Sequence, residues 1–149
     1  MYRAILVPLD GSPAAEAAVP YALALRRLSG GSLMLARVVP SAVEPPALYS
    51  MTDPETWLLR RRQMQAEAEA YLAALAARPD VAASRPRYAV PAGDVGPAIV
   101  HLIEHEAIDV LVMTTRQRHK VARWVLGSTA DYLVQHAPVP VLLVRQNDA

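Results

Sequence analysis

Short apolar runs alternate with helical segments along almost the whole chain, and this alternation limits the open folds more than any other feature. Tyr2 to Leu9 is nearly continuous in apolar residues, the pattern of a strand covered on both faces. It stops at Asp10-Gly11-Ser12-Pro13, a turn in which Ser12 can cap a helix and Pro13 suits its first position. Ala14, Ala17, Ala18, Tyr21, Leu25 and Leu28 then recur at helical spacing, predicting one helix that Gly30-Gly31 ends. Ser32 to Val39 reads as a second strand.

Pro40, Pro45, Pro46 and Pro54 make Pro40 to Asp53 a long loop, of a length that usually carries function. Asp53-Pro54-Glu55 combines a cap, a ring and an acidic first turn, and opens a helix reaching about Ala77 through Trp57, Leu58, Met64, Ala68, Tyr71, Leu72 and Leu75. Arg85 to Val90 is a weaker third strand, and Pro86 places it at a sheet edge. Gly93-Asp94 and Gly96-Pro97 open a helix from Pro97 to about Glu106, and Ile108 to Met113 is a fourth strand, buried by its pattern. Ser128-Thr129-Ala130-Asp131 has the spacing of a capping box for a last helix ending near His136, before a fifth strand from Val141 to Arg145. The alternation implies right-handed crossovers and a mostly parallel, doubly wound sheet with helices on both faces, built as one domain over residues 1–149.

Composition sets the functional bounds. Hydrophobic residues make up 53% and charged residues 19%, enough for a sizeable core without phenylalanine. The net charge of +1 gives no general attraction to nucleic acid or an anionic membrane. With no cysteine, thiol catalysis, disulfides and thiolate metal sites are excluded. No segment reaches the roughly 20 apolar residues of a spanning helix, and the chain is expected in the cytoplasm.

In such sheets ligands bind beyond the carboxyl ends of the strands, where the winding reverses. Asp10-Gly11-Ser12 after the first strand and Thr114 to Gly127 after the fourth are the candidate turns, and they face each other if those strands are neighbours. The second turn gathers Arg116, Arg118, His119, Lys120 and Arg123 in a nearly neutral chain. Two explanations stand: a site for an anion, or a solvated loop.

His101-Leu102-Ile103-Glu104-His105 matches a short metalloprotease pattern, but no Glu follows Glu106 to complete it. Ile99, Leu102 and Ile103 should face the sheet, which turns His101, Glu104 and His105 to solvent; no metal site is expected. Arg60-Arg61-Arg62 reads as a solvated run or as partners of Glu67 and Glu69. Trp57 and Trp124 are expected to pack rather than to stack on a base.

Taken in order, ILVPLDGS, ARVVP, IDVLVM and LGSTADYLVQHAPVPVLLVR resemble the universal stress protein family across nearly the full chain. The resemblance implies a five-stranded sheet in spatial order 3-2-1-4-5, which sets the first and fourth strands side by side. It also implies a homodimer through the last strand, Val139 to Val144. Apolar strand edges need such a cover.

Family members that hold ATP carry Gly-x-x-Gly, nine residues, then Gly-Ser or Gly-Thr. Here Gly127-Ser128, followed by Thr129, matches the final pair, whereas Thr114 and Gln117 occupy the two glycine positions. Each adds a Cβ where backbone N–H groups should approach phosphate. Pro8 and Asp10 match the family's base and ribose positions, Val38 the residue whose backbone meets adenine, and Met113 precedes the altered glycine.

The resemblance therefore implies a dimeric, non-enzymatic regulatory module with a degenerate nucleotide pocket that does not hold ATP tightly. A second reading is an ATP- or AMP-binding member in which Arg116, Arg118 and Lys120 replace glycine amides, with magnesium only if ATP is bound. A third, from another class, is a weak ATP hydrolase or phosphotransferase; no evident carboxylate pair for magnesium supports it.

Overall fold

The computed structural model describes residues 1–42, 47, 51, 53–115 and 126–146. Five strands form one parallel sheet: β1 (Ala4–Pro8), β2 (Ser32–Ala36), β3 (Arg87–Ala89), β4 (Val110–Thr115) and β5 (Val141–Arg145). Their order across the sheet is β3-β2-β1-β4-β5. The register pairs Ile5 with Leu33 on one side and with Val110 on the other. β3 and β5 are the edges, so the expectation for the proline-bearing third strand holds.

The helices are α1 (Pro13–Glu16), α2 (Val19–Ser29), α3 (Pro54–Ala76), α4 (Pro79–Ala82), α5 (Val95–His105) and α6 (Ser128–His136). Period-2 alternation in the strands divides the core into two layers. Ile5, Val7, Leu33, Leu35, Val110 and Val112 pack with Val19, Ala22 and Leu23 of α2, Leu72 and Leu75 of α3 and Val81 of α4. Leu6, Met34, Leu111 and Met113 pack with Ile99, Leu102 and Ile103 of α5 and Leu133 of α6. Each fully buried aliphatic side chain contributes about 1.5–3 kcal/mol.

Several expected boundaries move. The predicted first helix is two helices, because Pro20 has no N–H for the Glu16 carbonyl and its ring crowds that oxygen. The chain tightens there through i→i+3 bonds, Ala17 N to Ala14 O and Ala18 N to Ala15 O, before Ala22 N bonds Ala18 O. The buried face of α2 is consequently Ala18, Val19, Ala22 and Leu23, whereas Tyr21 and Leu28 are 55% and 87% exposed.

On α3, Trp57 is buried as expected but Leu58 is exposed. The strands are shorter than their apolar runs. β4 starts at Val110 and continues through Thr115, beyond the expected end at Met113, because β5 pairs with it as far as Thr115. α5 starts at Val95 behind Asp94 rather than at Pro97. The expected capping box of α6 is not formed: Gly127 is the N-cap, Ser128 is the first helical residue, and Asp131 N donates to Gly127 O.

Candidate functional site

Crossovers between parallel strands return each helix antiparallel to its strands, so the turn after β1 and the start of α6 both lie at the carboxyl rim of the sheet. β1 and β4 are direct neighbours, with Leu6 opposite Leu111. Continuing that register sets Pro8 level with Met113. α1, which follows the first turn, lies against β4, and so does α6. The expected adjacency of β1 and β4 therefore holds. Gln117, Arg116, Arg118, His119, Lys120, Arg123 and Trp124 lie outside the described residues, as does most of the stretch 43–52.

On the β1 side, Leu9 N still bonds Ala36 O at 2.7 Å, so the strand pairing carries to the lip of the rim. Asp10 then folds back on its own turn. Its Oδ1 accepts from Ser12 N at 2.9 Å and from the Ser12 hydroxyl, while Ser12 Oγ caps α1 by accepting from Ala15 N at 3.2 Å. The expected capping role of Ser12 is thus observed, and the Asp10 carboxylate is fixed at the rim.

Val38 stands just past the end of β2, half-buried against the α5–α6 core layer. Its neighbour Val39 is held by a bridge to Ala92, with Val39 N donating to Pro91 O and Gly93 N to Val39 O. Across β1, Met113 is buried and Thr114, paired with Val144, is half-buried. Thr115 is a buried polar residue that the sequence reading did not single out.

The start of α6 carries Gly127, Ser128 and Thr129. As a glycine N-cap, Gly127 has no side chain to accept from the first amides of the helix. Among the described residues, a Cβ at Gly127 would meet nothing within 4 Å. Unsatisfied amides and the helix dipole make such a terminus favourable to negative charge.

Arg37 is the residue that sequence reasoning missed. It ends the apolar run of β2, and a charge at that point is the signal that was there to be used. Its Cζ lies 5.2 Å from the ring centroid of Tyr71 in α3. Gly11, at φ +87°, also adjoins it: an ideal Cβ there would stand 2.9 Å from Nη1, 3.1 Å from Cζ and 3.2 Å from Nη2 of Arg37. Burial, reinforced by Glu16, pushes the Tyr71 phenol up to about 12. Glu16 itself pairs with Arg78 at 3.2 Å.

Away from the rim, His101, Glu104 and His105 face solvent and Ile99, Leu102 and Ile103 face the sheet, as expected. Among the described residues no three metal-ligating side chains converge. Arg60 reaches Glu67 at 3.9 Å, and Arg61 Nε donates to Pro40 O.

The model of the universal stress protein family matches residues 1–145. The chain belongs to that family. Among curated relatives, this universal stress protein is 33% identical over 147 residues to a Thermus aquaticus protein, "Universal stress protein in QAH/OAS sulfhydrylase 3'region", covering 97% of this chain and 100% of the relative. Among solved structures, hypothetical protein MJ0577 superposes with a TM-score of 0.80 at 21% identity, covering 100% of this chain and 99% of the other. A universal stress protein in complex with cAMP superposes at 0.62 with 22% identity, covering 98% of each. At these identities the solved structures share the fold. No described helix is long and apolar enough to cross a membrane.

Proposed function

We propose that this universal stress protein is a non-catalytic regulatory module whose carboxyl rim takes the nucleoside part of an adenine nucleotide and holds the phosphates weakly. The observation that carries this reading is the adjacency of β1 and β4, which sets Pro8, Asp10 and Met113 along one rim with Val38 one strand over. The fold neighbour in complex with cAMP supports an adenine ligand of low phosphate content.

Thr114 supports the weak phosphate hold, since its Cβ stands where the family's first glycine lets backbone amides approach. What remains for phosphate is the uncapped start of α6 at Gly127-Ser128-Thr129. Non-catalytic action fits the titratable inventory. Asp10 is the acidic group at the end of β1, and its Oδ1 is occupied by Ser12. Phosphoryl transfer needs a metal-holding pair and a positioned base.

The module acts as a homodimer joined along β5. This strand is a sheet edge, with Leu142 43% exposed beside the buried Val144. An apolar edge left open invites pairing with another chain, and a second β5 satisfies it.

Protein purified without added nucleotide, then denatured, is expected to release no stoichiometric adenine nucleotide. Calorimetric titration is expected to show AMP and ATP binding with affinities within about tenfold of each other, or about 1.4 kcal/mol. Stoichiometric ATP carried through purification contradicts the weak phosphate hold; no heat with either ligand at millimolar concentration contradicts nucleotide binding.

A further inference from the structure

The guanidinium of Arg37 is held flat. Three of its atoms lie at nearly one distance from the Cβ position of Gly11, which sets the plane against that residue, and the Tyr71 ring covers the group from α3. The Gly11 backbone and the Tyr71 ring thus both adjoin the cation, whose N–H groups remain to bond. Among the described residues the guanidinium has no ion pair and no hydrogen bond. Half-buried arginines ordinarily have a carboxylate, because desolvating an unpaired charge is costly.

Beside it is a second unsatisfied group. The Tyr71 hydroxyl is buried and has no hydrogen-bond partner. The carboxylate that bears most on it, Glu16, is engaged by Arg78, which also holds Asp80 at 2.7 Å. A cation with an unused donor edge and a neutral phenol donor thus meet where β2 ends, next to the Asp10-Gly11-Ser12 turn.

We propose that Arg37 and Tyr71 form an anion subsite on the β2 side of the rim, taking a phosphate monoester group through the guanidinium edge and the phenol hydroxyl. Planar donors in this arrangement suit two oxygens of one tetrahedral anion. The subsite is separate from α6, which lies against β4 in the other core layer. It does not depend on adenine recognition. Gly11 is part of it: any side chain there would displace the guanidinium and would be strained at that φ.

The test is NMR titration of the full chain with inorganic phosphate, following the arginine side-chain Nε–Hε signals, with AMP as a second probe. The Arg37 signal is expected to shift saturably with phosphate. Tyr71→Phe is expected to weaken that binding by about tenfold, the loss of one hydrogen bond to a charged group. At the same time its thermal stability should stay equal or rise, because a buried unpartnered hydroxyl is removed. Arg37→Lys keeps the charge without the planar fork and should also weaken it; Arg37→Met should abolish it.

A merely structural role for Tyr71 predicts the opposite sign, with stability falling in Tyr71→Phe and phosphate affinity unchanged. That result overturns the subsite. So does non-saturable shifting spread over many arginines, or saturable binding that survives in Arg37→Met with shifts at Gly127 to Thr129. AMP shifts at Arg37 and Tyr71 with none at Val38 or Met113 would sustain the subsite and overturn only the adenine reading.

Discussion

Gly96 of α5 lies directly against the ring of Tyr132 of α6, so that a Cβ on Gly96 would collide with Cδ1, Cε1 and Cγ of that ring. This contact sets how closely the two helices on that face approach. Through α6 it also sets where Gly127 and Ser128 stand at the rim.

Gly96→Ala is expected to destabilise the protein. Alanine favours a helix over glycine by roughly 0.5–1 kcal/mol, but forcing a methyl group into a packed contact costs about 1–3 kcal/mol. The net loss should appear as a melting temperature lower by a few degrees. A double variant, Gly96→Ala with Tyr132→Leu, should recover part of the loss, because the two sites share one contact. Unchanged melting in the single variant would show that the helices part without cost.

Asp109 ties the start of β1 to the start of β4. Its carboxylate accepts from Arg3 N at 2.7 Å and Ala4 N at 3.1 Å, while its own N–H donates to Ala4 O at 3.0 Å. Replacing it by alanine leaves both amides without that acceptor and should cost about 1–3 kcal/mol in denaturant unfolding. Asparagine, able to accept with one oxygen, should lose less. Equal stability of all three proteins would contradict the tie.

Asp53 caps α3, accepting from Thr56 N at 2.9 Å and from the Thr56 hydroxyl at 2.7 Å. These bonds, the backbone one first, hold its carboxyl below the usual aspartate range. A group whose folded pKa is depressed adds stability above its unfolded pKa and loses it as pH falls through the folded value. The melting-temperature gap between the natural protein and Asp53→Ala should therefore be constant near neutral pH and close below about pH 4. A gap that persists in acid would mean that the carboxylate is not what caps the helix.

The middle of the sheet was legible because β1, β2 and β4 are short apolar runs, largely buried and bounded by turn residues. β1 and β4 read clearly for that reason, and their adjacency came with the family pattern. α1 and α2 were fused because Ala14, Ala17 and Ala18 fit helical spacing on both sides of the break; the one residue that decides is Pro20. The capping box failed in a similar way. Ser128 and Asp131 have the right spacing, but Gly127 accepts the first helical bond and takes the cap, and only backbone geometry distinguishes the two.

Of the candidate site, Pro8, Asp10, Val38, Met113 and Gly127-Ser128 could be named from the sequence because the family resemblance marks those positions. The pairing of Arg37 with Tyr71 could not. They are 34 positions apart in the numbering, on a strand end and a helix, and what joins them is side-chain direction. Arg37 shares a face with Leu33 and Leu35, which are packed with Leu72 of α3. Alternation along β2 predicts that face, but no spacing rule says which turn of α3 meets it.

Amide chemical-shift mapping during titration with AMP tests the central claim most directly. The account predicts saturable shifts at Asp10 to Ser12, Val38, Met113 to Thr115 and Gly127 to Thr129, joined by Arg37 and Tyr71 if the phosphate of AMP enters the anion subsite. Shifts centred on another surface, such as the His101–His105 face of α5, or no saturable shift at millimolar AMP, would contradict it.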